Sequence, residues 1–450
     1  MMNKDDISYL NDPEKYVVYL TDSENNRDIL KMMEKKSICI SNDQDFNELE
    51  TNLEYNDQLK KKTAILFFDS DTEQKKQIKG SVMKMLQYYG INRISMNGID
   101  NLRDSWMNDP SFTKNFKSFT DRVEYEADPA PDKVSRYFDH LFEEDLQTFK
   151  EGSNRQTGFA ALDRNTRGIY SGLYVIGAVS SLGKTTFSHQ LADNIARTGQ
   201  HVLYFSLEQS RFEMVSKSIS RESYRYDPAA ALTSLQIREG QTTPATEAAK
   251  KIYLEKYADN ISIIEGNFGT TAEGIRSYID RYIKRNGHRP TVFIDYLQIV
   301  QPDKDQDTGR KPTDAKTITD MNITALKRIS RDFNIPVFVI SSLNRSNYLN
   351  EIDFESFKES GGIEYGADMV LGLQLAAIHE QIFDQDKKIN EKRQRIREAK
   401  SEIPRKVELV CLKSRTSPPG WTVTFSYDPR YDYFKEAEEV PLTGTRIRRI

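Results

Sequence analysis

The chain is 450 residues long, 37% hydrophobic and 29% charged, which predicts a globular protein of two domains rather than one core. Its formal net charge is −4, so any grip on nucleic acid has to come from a local basic lining, such as a ring channel. Two cysteines, Cys39 and Cys411, exclude a disulfide framework and a four-cysteine zinc ribbon. No run of about 18 apolar residues occurs, so no membrane-spanning segment is expected. The opening MMNKDDISYL lacks the basic-then-apolar plan of a secretory signal, so the expected compartment is the cytoplasm.

In chain order, YVVYLT (Tyr16 to Thr21) and TAILFF (Thr63 to Phe68) read as buried strands. Each is followed by an acidic turn and a helix-like segment, NRDILKMMEK and QKKQIKGSVMKMLQYYG, the second stopping at Gly90. This alternation predicts a small parallel α/β domain over 1–127. DPAPDK (Asp128 to Lys133) breaks the pattern as a linker. Beyond it, Val134, Tyr137, Phe138, Leu141, Phe142, Leu146 and Phe149 recur at spacings of three and four, the apolar face of a helix. That helix either packs on its own domain or docks on a neighbouring subunit, and 128–155 is assigned to it and the linker.

From 156 to 450 the strand–helix pattern returns on a larger scale. GLYVIGAV, HVLYFSL, TVFIDYLQIV, IPVFVIS, DMVLGLQL and VELVCL are nearly continuous apolar runs, suited to a parallel sheet covered on both faces. Gln301 to Lys316 reads as a polar loop, and Asp384 to Arg405 as a solvated, charge-dense helix or excursion.

The chemistry concentrates in AVSSLGKTT, between the strand GLYVIG and the helix TFSHQLADNIAR. A phosphate-binding loop needs backbone N–H groups converging at a helix N-terminus, a lysine for the β- and γ-phosphates and a hydroxyl for Mg²⁺. Ala178, Ser180, Ser181, Gly183 and Thr186 supply the loop, Lys184 the cation and Thr185 the hydroxyl, predicting ATP with Mg²⁺. Asp295 ends the strand TVFID, where a carboxylate can anchor Mg²⁺. Glu208 ends HVLYFSLE and could polarise an attacking water. Each carboxylate is alternatively a strand-end cap for the next helix.

Taken together, TGFAALDRNTRGIYSGLYVIGAVSSLGKTT, VLYFSLEQS, VFIDYLQIV, IPVFVISSLNR and ESGGIEYGADMV resemble the successive motifs of the DnaB-type helicase motor, over roughly Thr157 to Pro429. The resemblance implies a RecA-like core, ATP and Mg²⁺ on Lys184 and Thr185, Glu208 as catalytic base and Asp295 as metal anchor. It extends to LKSRT, where Lys413 and Arg415 would reach the ATP of the adjacent subunit. It departs at Ser342, where the family usually has glutamine, so Asn344 or Arg345 would have to cover that role. Single-stranded DNA would be tracked by channel-lining residues, with Arg310, Lys311, Lys316, Arg345 and Lys358 as candidates.

Asp69 and Asp71 in FFDSDTEQKK, with Asp104, resemble the Mg²⁺-binding acidic positions of a Toprim domain in phage-type primase-helicases. The turn TDSENNRDIL lacks the expected Glu-Gly-Glu, so this domain reads as a degenerate Toprim-like one. The expectation is therefore an α/β protein with a small Toprim-like domain, a linker helix and a RecA-like P-loop ATPase. It would act as a homo-oligomeric ring, expected to be a hexamer, driving DNA replication in a phage or mobile element, with a primase or loader as partner and no membrane contact. Three rivals stay open: a recombinase or regulatory ATPase of RecA fold, a nucleotide-binding scaffold, and an active primase-helicase.

Overall fold

A computed structural model describes residues 4–96, 99, 101–140, 142–153, 155–179, 181–266, 269–302, 314–344, 349–357, 360–384 and 389–437. The chain divides into two compact units, Met1–Glu144 and Asp145–Ile450.

In the first unit β1 (Val17–Thr21), β2 (Ser37–Cys39), β3 (Thr63–Phe67) and β4 (Asn92–Ser95) form a parallel sheet in the order β2-β1-β3-β4. Strand alternation splits its side chains between two cores. Val18, Leu20 and Leu66 face one, and Val17, Tyr19 and Phe67 the other. Helices α1 (Glu24–Met32), α2 (Asp43–Tyr55) and α3 (Glu73–Tyr88) start on side-chain caps from Ser23, Asn42 and Thr72. Gly90 takes φ +74° beyond the end of α3, where the sequence expects the helix to stop.

Asp22 and Asp69 meet at the carboxyl edge of this sheet, Asp22 accepting from the Asp69 backbone N–H at 3.0 Å. The Lys75 ammonium lies 3.1 Å from Asp69 and 3.0 Å from Asp71. Asp104 is exposed on its own helix, Leu102–Asn108. Among the described residues no group of three or more His, Cys, Asp or Glu side chains is arranged to hold a metal ion. The carboxylates singled out in the sequence therefore do not fit a catalytic Mg²⁺ site, because a lysine neutralises two of them.

In the linker segment, where the periodicity predicts a helix, residues Val134–His140 and Phe142–Ser153 are helical; Leu141 lies outside the described residues. Val134 and Phe138 are more than half exposed. Phe149 stacks on Tyr170, ring centroids 4.4 Å apart, within the second unit.

In the second unit the strands are β5 (Gly172–Ala178), β6 (Val202–Ser206), β7 (Ile261–Glu265), β8 (Thr291–Asp295), β9 (Pro336–Ser342), β10 (Met369–Leu375), β11 (Arg405–Ser414), β12 (Thr422–Asp428) and β13 (Tyr433–Glu436). They form one sheet in the order β13-β12-β11-β10-β5-β9-β8-β6-β7. The strands from β10 to β7 are parallel, and β5, at the centre, is buried along its whole length. Its alternate side chains feed two cores, Tyr174 and Ile176 on one face and Leu173 and Val175 on the other.

All six predicted strands are present, but β11 runs antiparallel to β10 and starts an antiparallel extension through β12 and β13. The connection 415–421 between β11 and β12 is too short for the crossover of about a dozen residues that a parallel pair requires, so those two strands run antiparallel. The charge-dense segment contains a helix, Ile389–Ser401, as read from its composition. Among the described residues no helix is long and apolar enough to cross a membrane.

Candidate functional site

The parallel register sets the site. Ala178 pairs with Ser342, and Ser206 with Asp295, so the loop after β5, Glu208 and Asp295 all emerge at the carboxyl edge of the sheet. The phosphate loop leads from Ala178 into the helix Lys184–Arg197, with Gly183 as its N-cap at φ +84°. A Cβ on Gly183 would also come within 2.8 Å of the Tyr427 ring, so sterics and backbone both require glycine there. Ser181 likewise takes a left-handed turn, φ +68°, and is exposed; Ser180 lies outside the described residues.

Lys184 is half-buried, with its ammonium 3.3 Å from Ser342 Oγ and 6.0 Å from the centre of the Tyr296 ring. Asp295 is buried, 2% exposed, and burial raises its carboxyl above the ordinary 3.8. A hydrogen bond from Thr185 and the charge of Lys184 oppose that shift, while nearby Glu208 adds to it. Tyr204 donates to Asp295 Oδ2 at 3.3 Å, and Ser188 Oγ stands 2.8 Å from the Tyr204 hydroxyl. Burial and the charge of Asp295 push the Tyr204 phenol up, which keeps it protonated and donating.

The capping alternative fails for both carboxylates. The helix after β6, Arg211–Tyr226, is capped by Ser210 in a capping box with Glu213, so it does not draw on Glu208. The short helix Leu297–Ile299 after β8 has no side-chain cap. Glu208 is exposed beside the buried Asp295, a pair of carboxyls in opposite environments.

Sequence reading missed Tyr204, Ser188 and Gln298. Gln298 donates to Ser341 Oγ at 3.0 Å and accepts from the Ser342 N–H at 3.3 Å, tying the ends of β8 and β9 together. Its only signal was its place three residues after Asp295. Asn344 is committed locally, donating to the carbonyls of Glu355 and Phe357, both at 3.2 Å.

Lys413 and Arg415 do not join this group. Met369 pairs with Tyr174 on one side and Ser414 on the other, which puts Ser414 level with the start of β5. At about 3.3 Å per residue, Arg415 lies roughly 15 Å along the strands from the phosphate loop. There Arg415 meets Asp368 at 3.2 Å, and Lys413 donates to the Glu364 carbonyl. Lys316 is exposed in the first turn of the helix Ala315–Phe333. Arg310, Lys311, Arg345 and Lys358 lie outside the described residues.

This donor set fits a nucleoside triphosphate with a divalent cation: a helix N-terminus behind a glycine that tolerates no Cβ, a lysine, a hydroxyl and a buried carboxylate. The carboxylate gives a test. Because the native carboxyl is raised, stability is greatest below the unfolded value near 3.8 and falls as pH rises through the native value. Above that, ionised Asp295 is a cost to the empty protein. Asp295→Asn should therefore raise the melting temperature of nucleotide-free protein at pH 7.5 by about 2–4 °C. The further rise given to the wild type by Mg²⁺ with ATP should vanish, and differential scanning calorimetry reads both.

A family model described as the DnaB-like helicase C terminal domain matches residues 155–436. The replicative DNA helicase DnaB of Geobacillus stearothermophilus is 26% identical over 287 residues, 63% of this chain and 56% of that protein. That of Pasteurella multocida (strain Pm70) is 31% identical over 225 residues, covering 48% and 45%. The chain thus spans about half the length of the curated relatives it matches. Among solved structures, one ATPase domain aligns with TM-score 0.53 at 22% identity, over 68% of this chain and 99% of that one. A DnaB-like replicative helicase, solved in a study of its interactions with primase, aligns with TM-score 0.51 at 20% identity, over 80% and 86%. These likenesses establish the RecA-like ATPase fold, and the family match runs from just before the phosphate loop to the last described strand. The chain belongs to the DnaB-like helicase C-terminal domain family.

Proposed function

We propose that this protein is an ATP-driven replicative DNA helicase that translocates on single-stranded DNA as a ring of identical subunits. The observation that carries the reading is the convergence of Lys184, Thr185, Glu208 and Asp295 at one edge of the sheet, with Arg415 turned away from it.

Lys184 and the amides of the helix N-terminus hold the β- and γ-phosphates, and Thr185 with Asp295 holds Mg²⁺. The metal, when bound, neutralises charge on the phosphate oxygens. Glu208, exposed beside the buried metal anchor, orients the attacking water and takes its proton. Arg415 and Lys413 serve the nucleotide of a neighbouring subunit, because the strand register carries them away from their own. A guanidinium supplied across the interface stabilises charge on the transferring phosphoryl group and makes turnover depend on ring closure. Lys316, with Arg310, Lys311, Arg345 and Lys358, would contact the DNA backbone in the channel. A primase is the partner suggested by the solved relative. The Lys75 bridge in the first unit favours a structural or regulatory role for that unit over primer synthesis.

The test is steady-state ATP hydrolysis with and without single-stranded DNA, combined with electron microscopy. Turnover stimulated about tenfold or more by DNA, from closed rings, is the expected result for a motor whose DNA contacts tighten the catalytic geometry. Turnover indifferent to DNA would favour a regulatory ATPase, and open filaments a recombinase.

A further inference from the structure

The helix that begins with the phosphate loop, Lys184–Arg197, is unusual in carrying buried polar groups along one face. Thr186, Gln190 and Asp193 follow at spacings of four and three, each at most 3% exposed. All three are engaged by the end of the chain's described portion or by the residue that pins it. Thr186 donates to Asp432 Oδ1 at 3.0 Å and also bonds the Tyr427 phenol. Gln190 pairs with the Phe434 backbone in both directions, donating to its carbonyl at 2.7 Å and accepting from its N–H at 2.8 Å. Asp193 receives Arg221, which is wholly buried and also donates to the Asp432 carbonyl at 2.9 Å.

We infer that Asp432 and Tyr427, in the β12–β13 hairpin, are positioning residues for the nucleotide site. They fix Thr186 and Gly183, and through them the flanking Lys184 and Thr185. The Tyr427 ring comes within 2.8 Å of where a Cβ on Gly183 would be, so the hairpin walls the loop there. Asp432 is 6% exposed, and the Lys217 ammonium lies 3.7 Å from the same Oδ1 that accepts from Thr186. A hydroxyl that donates to the Asp432 carboxylate and meets the Tyr427 phenol cannot rotate freely, and the adjacent Thr185 inherits that rigidity. β12 also pairs in register with β11, the strand that carries Lys413. One hairpin therefore braces the subunit's own phosphate loop and the strand leading to the candidate trans-acting residues.

The inference rests on the ATP-binding reading, and the experiment separates the two. Full-length wild type, Lys184→Ala, Asp432→Ala, Asp432→Asn and Thr186→Val are compared for MgATP affinity, for the Mg²⁺ concentration giving half-maximal ATPase, and for melting temperature. Asp432→Ala should weaken MgATP binding about tenfold, the loss of a hydrogen bond to a charged group, and raise the Mg²⁺ midpoint several-fold. Asp432→Asn keeps an acceptor for Thr186 and should stay within about threefold of wild type. The double variant Thr186→Val/Asp432→Ala should be no worse than the poorer single one, since both remove the same contact. Asp432→Ala protein with a lowered melting temperature but unchanged affinity and Mg²⁺ midpoint in its folded fraction would show a purely structural role and overturn the inference. A wild type that binds no nucleotide, or a Lys184→Ala protein that binds it normally, would instead overturn the ATP-binding reading beneath it.

Discussion

Glu208→Gln is expected to lower kcat for ATP by about 10²–10⁴-fold while leaving the KM for ATP within about threefold. The size follows from the role: a positioned carboxylate that takes a proton in the transition state contributes that range, and glutamine keeps its shape without its basicity. KM should hold because in the proposed site Glu208, two residues beyond β6, acts on the attacking water, while Lys184 and the loop amides would hold the phosphates. The variant should remain folded, since the following helix is capped by Ser210 and Glu213 and asks nothing of Glu208. Single-turnover hydrolysis separates the chemical step from product release. A drop smaller than about tenfold would leave Glu208 as an ordinary surface carboxylate and move the search for the base elsewhere.

Arg415→Ala should be as severe, about 10³-fold or more in kcat, the range for a guanidinium that stabilises a transferring phosphoryl group. The decisive measurement is mixing. Arg415→Ala subunits keep an intact phosphate loop, and Lys184→Ala subunits keep an intact arginine. In a random equimolar mixture roughly a quarter of head-to-tail interfaces join an intact loop to an intact arginine. Activity should therefore return to about that fraction of wild type. An arginine acting within its own subunit would give no recovery, and the register that places it some 15 Å along the sheet from its own loop argues against that outcome. Its bridge to Asp368 does not prevent the reach. Arg415 is 55% exposed, and a pair so open to solvent is worth at most about 1 kcal/mol.

The motor was legible wherever a short segment carries its own physics. The run GLYVIGAVSSLGKTT states strand, loop and helix within a few residues, and Asp295 and Glu208 end strands that are apolar enough to recognise alone. What stayed hidden depends on residues far apart. Nothing local marks Tyr204 as the partner of Asp295. Thr186 and Asp432 are 246 positions apart, and a buried Asp in YDPRYDYF reads as one more turn residue. The antiparallel extension was hidden for a different reason. β11 is buried on alternate residues, as a strand with one freer face should be, yet VELVCL is polar only at Glu408 and passes for a fully covered strand. β7 was missed because ISIIE is a short run only partly buried, at the edge of the sheet, without the continuous apolar stretch that marks β6 and β8.

The central place of β5 governs how such a molecule can be made. The phosphate loop leaves the ribosome early, but the strands that flank β5 are β9 and β10, and the residues that clasp its helix belong to the last described strands. A nascent chain halted before Met369 would hold the whole loop sequence yet lack one wall of the strand that presents it. Closing such distant pairings is slow, and chains with many of them stay exposed for longer while they fold. Nucleotide capture should thus be among the final events of biogenesis. A half-made subunit would be unable to hold the proposed nucleotide, and so unable to take a place in the proposed ring.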